Sequence, residues 1–106
     1  MRRPEVRRPR KAASVTLSEE DGIRYLHFGT EWIQGGMRVA RPFALELEYQ
    51  RQMMAVGLFL PEPQRIVQLG LGAAALTKFC WCEVSSASIV AVELSVDVID
   101  AAHAWF

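Results

Sequence analysis

The sequence predicts an α/β chain: a small antiparallel strand meander, a linking helix, and then two βα units of a parallel sheet. Three observations carry that prediction. Short apolar–polar strand patterns broken by turn residues occupy the chain up to about residue 36. Between residues 42 and 60 the apolar spacing lengthens to that of a helix. From residue 66 onward, two short apolar runs each lead into a helical pattern, the order that makes neighbouring strands parallel. With 106 residues, 51% of them apolar and 23% charged, the chain has the length of one domain and a globular composition.

Residues 1–13 are expected to form a flexible basic arm, with two Arg-Arg pairs, two prolines and no apolar period. The net charge of zero hides a split, +5 on residues 1–13 and −5 on residues 14–106. That split excludes a uniformly basic nucleic-acid binder, and nucleic acid is not an expected partner. Residues 14–41 are assigned to the meander. Val15 and Leu17 alternate with polar residues, residues 19–22 supply a turn, residues 23–28 continue as a strand, and Trp32-Ile33-Gln34 forms a third strand ahead of Gly35-Gly36. Residues 42–63 read as the linking helix, with Pro42 at its first position and Pro61 and Pro63 at its stop. Leu45, Tyr49, Met53, Val56 and Leu60 fall on one face of it.

Residues 64–106 hold the parallel pair. Ile66–Leu69 is a strand, residues 73–79 a helix, and Ser88–Val92 a second strand. Ser95 caps a last helix whose apolar face is expected at Val96, Ile99, His103 and Phe106. No run is apolar enough to span a membrane, since the longest covers only residues 53–60. The arginines are followed by no apolar leader, and Cys80 and Cys82, two apart, fit neither a disulfide framework nor a zinc site. A cytoplasmic protein without metal or membrane partner is the expectation.

The chemistry concentrates between residues 66 and 93. Gly70, Gly72 and Ala75 match Gly-x-Gly-x-x-Gly/Ala directly after a strand and before a helix, which turns backbone N–H groups and a positive helix end toward a ligand. Glu93 ends the next strand, where a carboxylate can accept both ribose hydroxyls. This pattern points to nucleoside binding but leaves a dinucleotide and an S-adenosyl compound both open. Tight packing at the glycines and an exposed Glu93 would be the purely structural alternative.

The run Gln68-Leu69-Gly70-Leu71-Gly72-Ala73-Ala74-Ala75-Leu76-Thr77-Lys78-Phe79, followed by Ala91-Val92-Glu93-Leu94 and Val98-Ile99, resembles the nucleoside-binding core of the spermidine synthase (polyamine aminopropyltransferase) family. Trp32-Ile33-Gln34-Gly35 and the segment Glu48-Tyr49-Gln50-Arg51-Gln52-Met53-Met54 extend the resemblance over residues 14–106. It implies a Rossmann-like, methyltransferase-type core, here the first βαβα only. It implies decarboxylated S-adenosylmethionine as co-substrate, methylthioadenosine as product, a polyamine acceptor and no permanently bound cofactor. Gly70, Leu71 and Gly72 would cradle the thionucleoside, Glu93 its ribose, and Gln34 would close over it. Tyr49, Gln50 and Gln52 would lie on the polyamine side.

Departures qualify the carry-over. Typical synthases of the family read Gly-Gly-Gly-Asp-Gly in the loop, where this chain has Leu71 and Ala73. The helix motif Tyr-His-Glu-Met becomes Gln50-Arg51-Gln52-Met53, which sets Tyr49 about 100° off. It also places Arg51 where a polycation would be repelled. The family's general base is an aspartate of a later strand, and no residue here takes that catalytic role, so the chain alone is expected to be inactive. A methyltransferase-like enzyme and a non-catalytic nucleoside-binding or interaction module stay open as alternatives, as does a homo-oligomer.

Overall fold

A computed structural model describes residues 14–106, so the expected basic arm lies outside the described residues. Three strands, β1 (Thr16–Glu20), β2 (Ile23–His27) and β3 (Ile33–Arg38), form an antiparallel sheet in that order. Asp21 and Gly22 make the first turn with positive φ (51° and 78°), which lets two residues reverse the strand. The expected end of β3 is corrected: the strand runs through Gly35 and Gly36, and both are buried. Glycine is tolerated there because neighbours press on both faces. An added Cβ at Gly36 would lie 3.2 Å from the Tyr25 ring, and one at Gly35 only 2.7 Å from the Ala73 Cβ.

The linking helix is shorter than its apolar spacing predicts. Helix α1 covers only Glu48–Met53, and Met54–Leu58 continues as a 3-10 helix. Pro42 sits in successive turns instead of a first helical position, with Arg41 N bonded to Arg38 O and Ala44 N to Arg41 O. No side chain caps α1, and Gly57 and the two prolines oppose its extension. Of the expected apolar stripe only Leu45 is buried, whereas Tyr49, Met53, Val56 and Leu60 are more than half exposed. These four line a cleft instead of a closed core.

The second half follows the strand–helix–strand–helix order. Strands β4 (Arg65–Leu69) and β5 (Ser88–Val92) pair in parallel, from Arg65↔Ser88 to Leu69↔Val92. Helix α2 (Ala75–Glu83) lies between them in sequence, and α3 (Val96–Trp105) follows β5. Ser95 caps α3 as expected, its Oγ accepting from Val98 N at 3.4 Å. The buried face of α3 is corrected to Val98, Ala101 and Ala102, while Val96 and His103 are exposed. Leu26, Ala73 and Ala101 form the central buried cluster, with Val15, Leu17, Phe28 and Phe106 packed around it.

Two polar ties reinforce this junction. Arg24 Nη1 donates to Trp105 O at 2.6 Å, and Lys78 Nζ donates to Phe106 O at 2.8 Å. Burial holds the Lys78 ammonium below its ordinary pKa. On the parallel pair, Val67, Leu69, Val90 and Val92 form an outward apolar row, each more than half exposed. The opposite row faces α2, as the Gln68–Thr77 hydrogen bond shows. Among the described residues no helix is long and apolar enough to cross a membrane.

Candidate nucleoside site

The site grows out of the end of β4. Gly70 N donates to Val92 O at 2.8 Å, a last inter-strand bond before the chain turns away toward α2. Gly70 (φ +82°) and Gly72 (φ +55°) make that turn in the left-handed region. A Cβ on Gly70 would meet nothing within 4 Å, so its backbone angle and not crowding requires glycine. Ala74 follows at φ +58°, an uncommon angle for a residue with a Cβ, and α2 begins one residue later. Ala75, the last position of the glycine motif, is buried.

Two side chains fix this loop. Gln68 donates through Nε2 to Gly70 O (2.8 Å) and accepts through Oε1 from the Thr77 hydroxyl (2.7 Å), tying strand, loop and helix together. Glu93 accepts at Oε1 from Leu71 N (3.1 Å) and at Oε2 from Ser95 N (3.0 Å). Burial raises the pKa of Glu93, but N–H donation from Ser95, Leu71, Leu94 and Gly72 outweighs this and holds it below the usual carboxylate range. The carboxylate is therefore ionised at neutral pH. Only the Leu71 and Ser95 N–H groups make full hydrogen bonds to it, and a carboxylate can accept about four, so acceptor sites remain.

Above the loop lies a cleft of about 760 Å³. Seven of the eight residues singled out from sequence border it: Gln34 from β3, Tyr49 and Gln50 from α1, Gly70, Leu71 and Gly72 from the loop, and Glu93 directly after β5. Gln52 does not; it is exposed, roughly 200° around the short helix from Gln50. The one-position offset of Tyr49 does not remove it from the cleft. The expected clash of Arg51 with a cation is also corrected. Its guanidinium donates to Leu45 O (3.0 Å) and Glu48 Oε2 (3.4 Å), and Arg51 is not part of the lining.

Gln50 is the unusual member. It is 5% exposed, its Nε2 makes one long contact with the Tyr49 hydroxyl (3.4 Å), and its Oε1 has no hydrogen-bonding partner. An amide carbonyl buried without a donor is costly, and here it borders an open cleft. Cys80 borders the same cleft, with burial pushing its thiol pKa up, so it stays protonated. Arg65 and Glu93 supply the formal charge of the lining, which is otherwise largely apolar.

This geometry separates two ligand classes that the glycine pattern leaves open. A pyrophosphate at the turn needs free N–H groups and a positive field. Here the Leu71 N–H is already bonded to a carboxylate, which would repel a phosphate at that point. A nucleoside without phosphates, or one carrying positive charge, meets no such penalty. Among the described residues no three His, Cys, Asp or Glu side chains group as metal ligands. Sequence reasoning missed the Gln68 latch and the seat of Gly35. For Gln68 the available signal was a polar residue at the last inward position of β4, inside the otherwise apolar run of residues 66–69.

Comparison with known proteins adds relatives. A polyamine aminopropyltransferase of Chromobacterium violaceum is 40% identical over 92 residues, covering 87% of this chain and 35% of that protein. The proteins of the same name from Neisseria meningitidis serogroups A and B are each 36% identical over 111 aligned positions, covering all of this chain and 42% of theirs. The chain thus spans about two fifths or less of the curated relatives it matches. No protein-family model and no solved structure matches it.

Proposed function

We propose, from this chain's homology to the polyamine aminopropyltransferases along its length, that it builds the thionucleoside-binding wall of an aminopropyl transfer site. The observation that carries the reading is the Glu93–Leu71 bond: it spends the loop N–H on a carboxylate and so favours a phosphate-free nucleoside. Decarboxylated S-adenosylmethionine is such a ligand, and its sulfonium is cationic. The Gly70–Gly72 turn would support the nucleoside on a Rossmann-like core, with Glu93 accepting ribose hydroxyls on its remaining lone pairs. Gln34 would close one side, and Tyr49 and Gln50 would face the amine.

In the transfer, the amine nitrogen of the acceptor forms a bond to the aminopropyl carbon while the carbon–sulfur bond breaks. Methylthioadenosine leaves, with the electron pair of that bond on its sulfur. The amine proton passes to a general base, which the family resemblance assigns to an aspartate of a later strand. This chain's part is to bind and orient the donor.

Titration calorimetry of the purified chain with methylthioadenosine tests the reading. Saturable binding that weakens about tenfold or more in Glu93→Ala supports it. Absence of binding, or binding of NAD in its place, overturns it. Binding of S-adenosylmethionine more tightly than its decarboxylated form would transfer support to a methyltransferase-like protein.

A further inference from the structure

We propose that Gly35 of β3 is a positioning residue for the nucleoside loop, setting how closely the meander seats against Gly72 and Ala73. The contact is closer than any side chain would allow. A Cβ built on Gly35 would fall 2.7 Å from the Ala73 Cβ and 3.0 Å from its backbone N. The adjoining pair lies alongside: a Cβ built on Gly72 would be 3.6 Å from the carbonyl oxygen of Gln34, an ordinary contact distance. Residues 34 and 35 of β3 therefore run beside residues 72 and 73 of the turn, with the tight contact at Gly35 and Ala73.

Ala73 cannot retreat. It is 2% exposed and belongs to the central cluster with Leu26 and Ala101. A methyl group at position 35 must therefore push the strand or the loop, because packed interiors do not absorb such an overlap. Both outcomes reach the cleft. Moving the strand displaces Gln34, which borders the cleft, and moving the loop strains the Leu71–Glu93 bond at its floor. The next glycine supplies an internal control. Gly36 sits on the other side of β3, and a Cβ there would meet Tyr25 and Leu47 without reaching the loop.

The inference rests on the nucleoside reading only for its ligand arm. The test compares Gly35→Ala, Gly36→Ala and the double variant Gly35→Ala/Ala73→Gly by amide hydrogen exchange and by calorimetry with methylthioadenosine. Gly35→Ala is expected to lower the protection of the Leu71 amide about tenfold and to weaken methylthioadenosine by a similar factor. The double variant is expected to recover part of both losses. Gly36→Ala is expected to lower melting temperature while leaving the Leu71 amide unchanged.

Unchanged Leu71 protection in Gly35→Ala overturns the inference, and so does an equal loss in Gly36→Ala. If Gly35→Ala does not fold, the double variant decides: a folded chain with its Leu71 amide protected supports the inference, and a double variant that also fails to fold, or folds with the Leu71 amide unprotected, refutes it. Should the native chain bind no methylthioadenosine, the nucleoside reading fails while the exchange arm still decides the role of Gly35.

Discussion

Replacing Gln50 by methionine is expected to make the protein more stable and its cleft worse at binding. The side chain is 5% exposed, and its Oε1 is buried without a donor. Leaving a buried carbonyl unsatisfied costs about 1–3 kcal/mol, while the single contact of Nε2 with Tyr49, at 3.4 Å, is worth about 0.5 kcal/mol at most. Methionine has nearly the same length and volume and carries neither amide group, so it opens no cavity. The net gain is about 1 kcal/mol, which for a domain of this size raises the melting temperature by about 5 °C. Circular dichroism melts and urea midpoints of Gln50→Met at neutral pH measure it. Titration of the same variant with a diamine, methylthioadenosine present, should show weaker binding, because the lost acceptor is the one free to take an amine N–H. A variant destabilised by about 1 kcal/mol or more would show that the carbonyl is already satisfied in water, and would refute the reasoning.

Two further outcomes follow from the loop. Because the folded-state pKa of Glu93 lies below its ordinary value, its ionised form stabilises the fold above the unfolded pKa, and that contribution is lost as pH falls through the folded pKa. Glu93→Gln should therefore cost about 1 kcal/mol near neutrality, the low end for bonds to a charged group because solvent screens it. The difference should vanish in urea titrations below the carboxylate range, and a pH-independent cost would contradict the assignment. Gly70→Ala should cost about 1–2 kcal/mol in urea midpoint through its +82° φ alone, since nothing lies within 4 Å of the new methyl. Gly57→Ala, equally uncrowded and with ordinary φ, should cost nothing, and equal losses at both positions would refute the conformational explanation.

The parts of the molecule that depend on neighbours in sequence were legible from it. The meander order, the parallel strands, the Ser95 cap and the Gly70–Gly72 turn each follow from local patterning, and the structure brings Gln34 and Glu93 into one cleft with that turn. What was not legible depends on tertiary contact. The apolar stripe from Leu45 to Leu60 has helical spacing but faces a cleft, so packing does not reward a full helix there. Gly35-Gly36 reads as a turn because composition cannot report that Ala73 and Tyr25 press on either side of the strand. The outward placement of Gln52 followed from where the short helix begins, a boundary that apolar spacing alone does not define.

The parallel pairing of β4 with β5 also has a kinetic side. In the meander, Glu20 pairs with Ile23 three residues away, so that sheet can zip from its own turns. Every rung of the parallel pair joins residues 23 apart, as Arg65↔Ser88 does, with α2 lying in the intervening chain. Loop closure must precede any reward from that pairing. The meander should thus be in place before the parallel pair, and the cleft between them exists only after the second has docked on the first. The apolar row Val67, Leu69, Val90 and Val92 stays more than half exposed even after docking, so this face is open to other chains both during assembly and in the finished fold, and it is a route to aggregation.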